Sequence, residues 1–293
     1  MTAEAWIGAI FLKPILVVAA AAAITACLRP HTAAARHAVW AAALLLVVVL
    51  PALGLALPPL RVPLLDGALT LPWRDTAPTA PSGGTAAGAP SSTTRALPKD
   101  DVLEGVLIPG EGSAQWLPEA IAGAWLLGVL ALGLRRIVME RRLRRIVHRS
   151  QAVSNSRLER LFADAVRVSG IQQRVEIRLS DVVSTPAVTG GFRPVILLPT
   201  CVDTWPEDDV AAALQHELGH VARHDCLLNL AADVATAIYW CNPAVHVAAR
   251  HMRGESERAC DDRVLRGGAE PEDYARLLVD VARRARISRQ LPV

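Results

Sequence analysis

Three long apolar stretches limit what this chain can fold into more than any other feature of it. Ala5 to Leu28 is almost uniformly apolar, broken by Lys13-Pro14; Ala38 to Leu57 is cleaner; Trp116 to Leu134 carries only Glu119 near its start. Each has about the 20 residues that a helix needs to cross a hydrocarbon core. They explain why 52% of the 293 residues are hydrophobic, a share high for a soluble protein. The first stretch lacks the basic leading region of a secretory signal, and no convincing cleavage site separates it from the second. A retained membrane anchor is therefore expected.

Basic residues orient these spans. Arg29 and Arg36 lie between the first two, and Arg135, Arg136, Arg141, Arg142, Arg144, Arg145 and Arg149 follow the third. Positive charge stays on the cytoplasmic side, so the N-terminus is expected outside and everything after Arg135 in the cytoplasm. An arginine run directly beside a span points to lipid headgroups. The net charge of +3 is too small to argue for direct nucleic-acid binding. The organisation that results is two spans in residues 1–57, an extracytoplasmic linker at 58–115, a third span at 116–136 and a cytoplasmic domain at 137–293. The linker is rich in proline, glycine, serine, threonine and alanine, especially from Thr76 to Thr94, a composition that does not build a core. Of the five cysteines, Cys27 falls in a span. Cys201, Cys226, Cys241 and Cys260 would face a reducing compartment, where free thiols are expected.

The cytoplasmic domain opens with an amphipathic helix pattern from Ser154 to Val168, behind a serine cap. Arg174 to Leu179 alternates like a half-buried strand, Thr189 to Pro194 has the composition of a turn, and Val195 to Pro199 is an apolar strand. Within Val183 to Leu198, an edge strand could pair with an extended substrate backbone. Leu227 to Tyr239 is apolar but contains Asn229 and Asp233. It is too short and polar for a fourth span, and is expected to be a buried or membrane-apposed helix. Asn242-Pro243 then interrupts the chain, a further helix runs from Ala244, and Ala275 to Val281 forms the last amphipathic one.

The chemistry is concentrated in Gln215-His216-Glu217-Leu218-Gly219-His220. The run before it, from Pro206 through Glu207, Asp208 and Asp209, suits a helix start, which places this HExxH motif in mid-helix. Histidines four residues apart share a face and can grip one ion, while the intervening glutamate can take a proton from water held at zinc. A third protein ligand is required. Glu257 and Asp261 lie downstream on one helical face, where one could ligate while the other orients a ligand histidine. Cys260 is nearby, and packing is its expected role.

Four ordered pieces carry a family resemblance: His216-Glu217-Leu218-Gly219-His220, Arg223-His224-Asp225, Tyr239-Trp240-Cys241-Asn242-Pro243 and Glu257-Arg258-Ala259-Cys260-Asp261. The run from Leu214 to Leu265 resembles the membrane zinc metallopeptidases of the β-lactam sensor-transducer (BlaR/MecR) type. That resemblance implies zinc held by His216, His220 and Glu257, with Glu217 as catalytic acid and base. It makes Asp261 an outer partner of the ligands, and Asp225 matches a family position too. Glu255 is the competitor for third ligand. The implied fold is α+β: a multi-span helical membrane region followed by a gluzincin-like domain, mostly helical with a small sheet.

The implied activity is a zinc-dependent endopeptidase in the cytoplasmic membrane. It would cut a protein on the cytoplasmic side in signal transduction: itself, a transcriptional repressor or another regulator. The antibiotic sensors carry a penicillin-binding domain after the protease, whereas no serine-lysine acylation motif occurs here. β-Lactam sensing is therefore not implied. Either the chain is a fragment, a separate sensor protein acts as partner, or this member does different work. Two other readings are a general quality-control or processing protease and a non-catalytic signalling scaffold. A purely structural metal site has no need of Glu217.

Overall fold

The computed structural model describes residues 8–28, 32–56 and 116–290. Arg29 and the linker of residues 58–115 lie outside these. A π-helical turn at Gly8–Leu12 leads into α1 (Lys13–Cys27), followed by α2 (Ala33–Ala56) and α3 (Leu117–Arg149). Among the described residues, Ile10–Cys27, Ala33–Leu53 and Glu119–Arg149 are the three stretches long and apolar enough to cross a membrane. α2 begins earlier than Ala38, because alanines and Arg36-His37 extend the helix towards its basic end. α3 continues without a break through the arginine run to Arg149. None of its apolar stretch is buried within the protein, and Leu127, Leu130 and Leu134 stand more than half exposed. So much contiguous apolar surface calls for a hydrocarbon surrounding rather than water.

After α3 come β1 (Gln151–Ala152), α4 (Ser156–Ser169), β2 (Glu176–Ser180), β3 (Ala187–Thr189) and β4 (Val195–Pro199). The cap of α4 is Asn155, not a serine: its side chain accepts from the Arg157 N–H. The four-stranded sheet has the order β1-β2-β4-β3. β2 and β4 run parallel, with Ile177 opposite Ile196, and the outer pairings are antiparallel. Ile196, Leu197 and Leu198 are all buried, as the unbroken apolar run of a strand covered on both faces requires. β3 is left at the edge.

Four α-helices follow among the described residues: α5 (Glu207–Ala222), α6 (Asp225–Ile238), α7 (Pro243–Arg266) and α8 (Pro271–Gln290). Asn242 caps α7 through its side-chain oxygen on the Ala244 N–H. Its side-chain nitrogen donates to the carbonyls of Ile10 and Phe11, whose π-turn breaks the regular helical pairing. A polar residue thus sits fully buried with its donor and acceptor both used.

Two cores result. One joins α1 and α2 to α6 and α7 through Val18, Trp40, Leu44, Val47, Ala232, Ala235, Ala248 and Met252. Small residues on α6 and α7 let helix backbones approach closely there. The other joins α4, the sheet, α5 and α8 through Leu158, Ile196, Leu198, Leu214, Leu218 and Leu277. Helix α7, 24 residues long and so about 36 Å from end to end, belongs to both. Val245 near its start lies in the first core, and Val264 near its end lies in the second. The residues between them are where the two cores meet.

Candidate metal centre

Acidic residues in the first turn of α5 complement its dipole, and the helix runs unbroken through the HExxH motif. His216 and His220 stand one turn apart, with ring centroids 5.2 Å from each other. The middle of α7 brings Glu257 over them. Its Oε2 lies 3.5 Å from His216 Nε2, and its Oε1 lies 3.8 Å from His220 Nε2. An ion with tetrahedral bonds of about 2.0–2.1 Å separates its ligand atoms by about 3.3 Å. Each histidine nitrogen therefore stands from a Glu257 oxygen at about the separation that two ligands of one zinc-sized ion have.

Glu255, two residues earlier, faces away. Arg36 meets its Oε2 at 2.9 Å, and Arg258 donates to its Oε1 at 2.7 Å. Two residues turn a helix by about 200°, so only one of these glutamates can face the histidines. Among the described residues, Cys260 forms a group with the two histidines whose ligand atoms all lie within 4.8 Å of one another. Its sulfur accepts from Arg223 at 2.9 Å and fills the space beside Gly219, where an added Cβ would come within 2.9 Å of it. Gly219→Ala is therefore expected to destabilise the protein by about 1–3 kcal/mol through overpacking, although alanine is the better helix former. Thermal unfolding of the two proteins checks this.

The outward nitrogen of each histidine is held. His216 Nδ1 lies 3.0 Å from the Tyr274 hydroxyl, which donates to Asp261 Oδ1 at 2.8 Å. His220 Nδ1 lies 2.8 Å from Asp225 Oδ2. The same oxygen accepts from Ser256 at 2.6 Å and from Arg223 at 2.6 Å. Such contacts place the proton on Nδ1 and leave Nε2 to face a metal. Burial pushes Asp225 up, but its donors bring it down to about 2. Burial pushes both imidazoles down, yet Asp261 and Glu257 beside His216, and Asp225 and the Cys260 sulfur beside His220, raise each to about 10. The surplus of negative charge suits a cation. Asp225→Asn is expected to weaken metal affinity by roughly 10–100-fold, read by competition against a chelating dye.

Asp225 reaches His220 because the chain turns sharply at His224, which adopts the left-handed conformation (φ 56°). A non-glycine residue pays strain for that, and it lets α6 start immediately after α5.

Glu217 lines a cleft of about 470 Å³ that also touches Pro186, Ala187 and Val188. It is 8% exposed. Burial raises its carboxyl above the usual range, and a backbone hydrogen bond from Val188 opposes this. The edge strand β3 thus forms one wall of the cleft that the histidines and Glu217 share.

His224, His246, His251 and Tyr239 all stand away from the metal centre. None lines the cleft: Tyr239 is in the first core, His251 stacks on Trp40, and His246 contacts the Trp240 carbonyl. The residue missed was Tyr274, contributed by α8. Nothing local marks it, since it lies 58 residues from His216.

The family described as BlaR1 peptidase M56 matches residues 9–291. The chain belongs to that family. The regulatory protein BlaR1 of Bacillus licheniformis is 29% identical over 156 residues, which is 53% of this chain and 26% of the relative. The methicillin resistance mecR1 protein of Staphylococcus aureus is 31% identical over 122 residues, 41% of this chain and 21% of the relative. The aligned region is thus about a quarter of each relative's length. The M56 match also takes in the three long apolar helices described above.

Proposed function

We propose that this M56 chain is a zinc-dependent endopeptidase of the cytoplasmic membrane that cleaves a cytoplasmic-side protein in signal transduction. The observation that carries it is the convergence of His216 Nε2, His220 Nε2 and the Glu257 carboxylate beside a buried Glu217. Zinc, when bound, supplies the Lewis acidity that peptide hydrolysis needs. Glu217 accepts the proton of the attacking water and delivers it to the leaving nitrogen. A carboxyl raised by burial suits both halves of that task. Asp225, Asp261 and Tyr274 keep the histidines oriented. β3 stands at the sheet edge along the cleft, where an extended segment of substrate would lie; its Val188 N–H is already held by Glu217, so strand pairing there exchanges that bond for one to the substrate backbone, with little reading of its side chains.

Topology follows from charge. Arg36 and the arginines of α3 mark the cytoplasmic side, and the contact of Arg36 with the helix that carries Glu257 supports a cleft at that face. The substrate is then the chain itself, a transcriptional repressor or another regulator, with a separate sensor protein as a further partner. Purified chain in lipid vesicles, given a fluorescently labelled unfolded protein, tests this. Cleavage that stops with a zinc chelator and returns with added zinc is the expected result. Cleavage indifferent to chelation contradicts the proposal.

A further inference from the structure

The cytoplasmic end of membrane helix α2 carries two adjacent residues that reach behind the metal centre. Arg36 binds Glu255 through Nε at 3.0 Å and Nη2 at 2.9 Å. Glu255 is on α7, two residues before Glu257. Next to it, His37 Nε2 lies 3.6 Å from Asp225 Oδ1. His37 is 3% exposed and Asp225 2%. Neither of those two facing atoms has a hydrogen-bond partner among the described residues. Buried polar atoms are normally paired, and these sit just beyond hydrogen-bond reach of each other. The other oxygen of Asp225 is the one that holds His220. One turn along α2, Trp40 is buried and stacks on His251 of α7 at 5.1 Å, so the docking is backed by packing.

We propose that Arg36 and His37 are positioning residues through which α2 sets the geometry of the metal-binding set. The inference rests on the reading of His216, His220 and Glu257 as metal ligands. Arg36 fixes the rotation of α7, and hence where Glu257 points. His37 fixes Asp225, and hence the His220 ring. Both halves of the ligand set are thereby tied to one membrane helix. A shift of α2 against α6 and α7, by well under 1 Å in the case of His37 and Asp225, changes the hold on both. Displacement of the membrane helices thus reaches the cleft through two contacts, without any change in the ligands themselves.

The test is zinc affinity of the full chain in detergent, measured by chelator competition, with helix content and melting temperature recorded alongside. Arg36→Met and His37→Phe are each expected to weaken zinc binding about tenfold while leaving the helix content intact. Arg36→Lys and His37→Gln should recover part of the loss, because each restores a donor. In an Asp225→Asn background, His37→Phe should cost little more, since its effect passes through Asp225. Zinc affinities within twofold of the parent for both His37→Phe and Arg36→Met overturn the proposal. So does a His37→Phe loss that is undiminished in the Asp225→Asn background. Should Arg36→Met not fold, the His37 cycle decides alone. A parent chain that binds no zinc sinks the underlying metal reading instead, so the two failures are distinguishable.

Discussion

Replacing Glu217 by glutamine is expected to remove peptide cleavage by a factor of about 10²–10⁴ while zinc affinity stays within a few-fold of the parent. The carboxylate lies in the cleft beside the histidines rather than among the three groups whose atoms face one another. Glutamine keeps the volume and can still accept from the Val188 backbone, so the buried position stays filled and satisfied. It cannot take a proton. Cleavage and metal content should therefore separate cleanly in this variant, read by the labelled-substrate assay and by metal analysis of the same sample. Undiminished cleavage would remove Glu217 from the mechanism. Loss of zinc together with cleavage would make Glu217 part of the metal-binding set instead.

Glu257→Ala is expected to act on the metal itself, weakening zinc by more than about a hundredfold. That exceeds the roughly 10–100-fold that follows loss of a group that only orients a ligand. Glu257 is 62% exposed in its side chain, so its removal leaves no unfilled core and the fold should survive. Glu255→Ala is the informative comparison. That side chain is nearly buried between Arg36 and Arg258, so its loss should disturb the docking of α2 and cost zinc only about tenfold. A stronger zinc loss from Glu255→Ala than from Glu257→Ala would reverse the assignment of the third ligand.

Much of this centre is legible in the sequence because its parts are local. Histidines four apart on an uninterrupted helix must share a face, and a carboxylate between them must lie beside it. The choice between Glu255 and Glu257 is different. Both stand on α7, on opposite sides, and which side meets α5 depends on how α7 docks against α2. That docking is long-range, and Arg36 to Glu255 spans 219 residues. Tyr274 and His37 were invisible for the same reason, since nothing in their neighbourhood hints at a partner on a distant helix. Asp225 stood in a recognisable motif, yet its purpose needed the left-handed turn at His224 to bring it onto His220. The small errors have small causes. Ser154 and Asn155 are both good caps, and only the backbone angle decides between them. α2 begins before Ala38 because alanine favours helix and its Arg36 and His37 face carboxylates at that end.

The most direct test of the central claim is the zinc content of the full chain, purified in detergent and cleared of loosely bound metal. Close to one zinc per chain, falling sharply in Glu257→Ala and preserved in Glu217→Gln, is the result expected of a catalytic metal centre built from His216, His220 and Glu257. A folded chain that holds little or no zinc, and that cannot be reloaded with it or another common divalent metal, contradicts that claim.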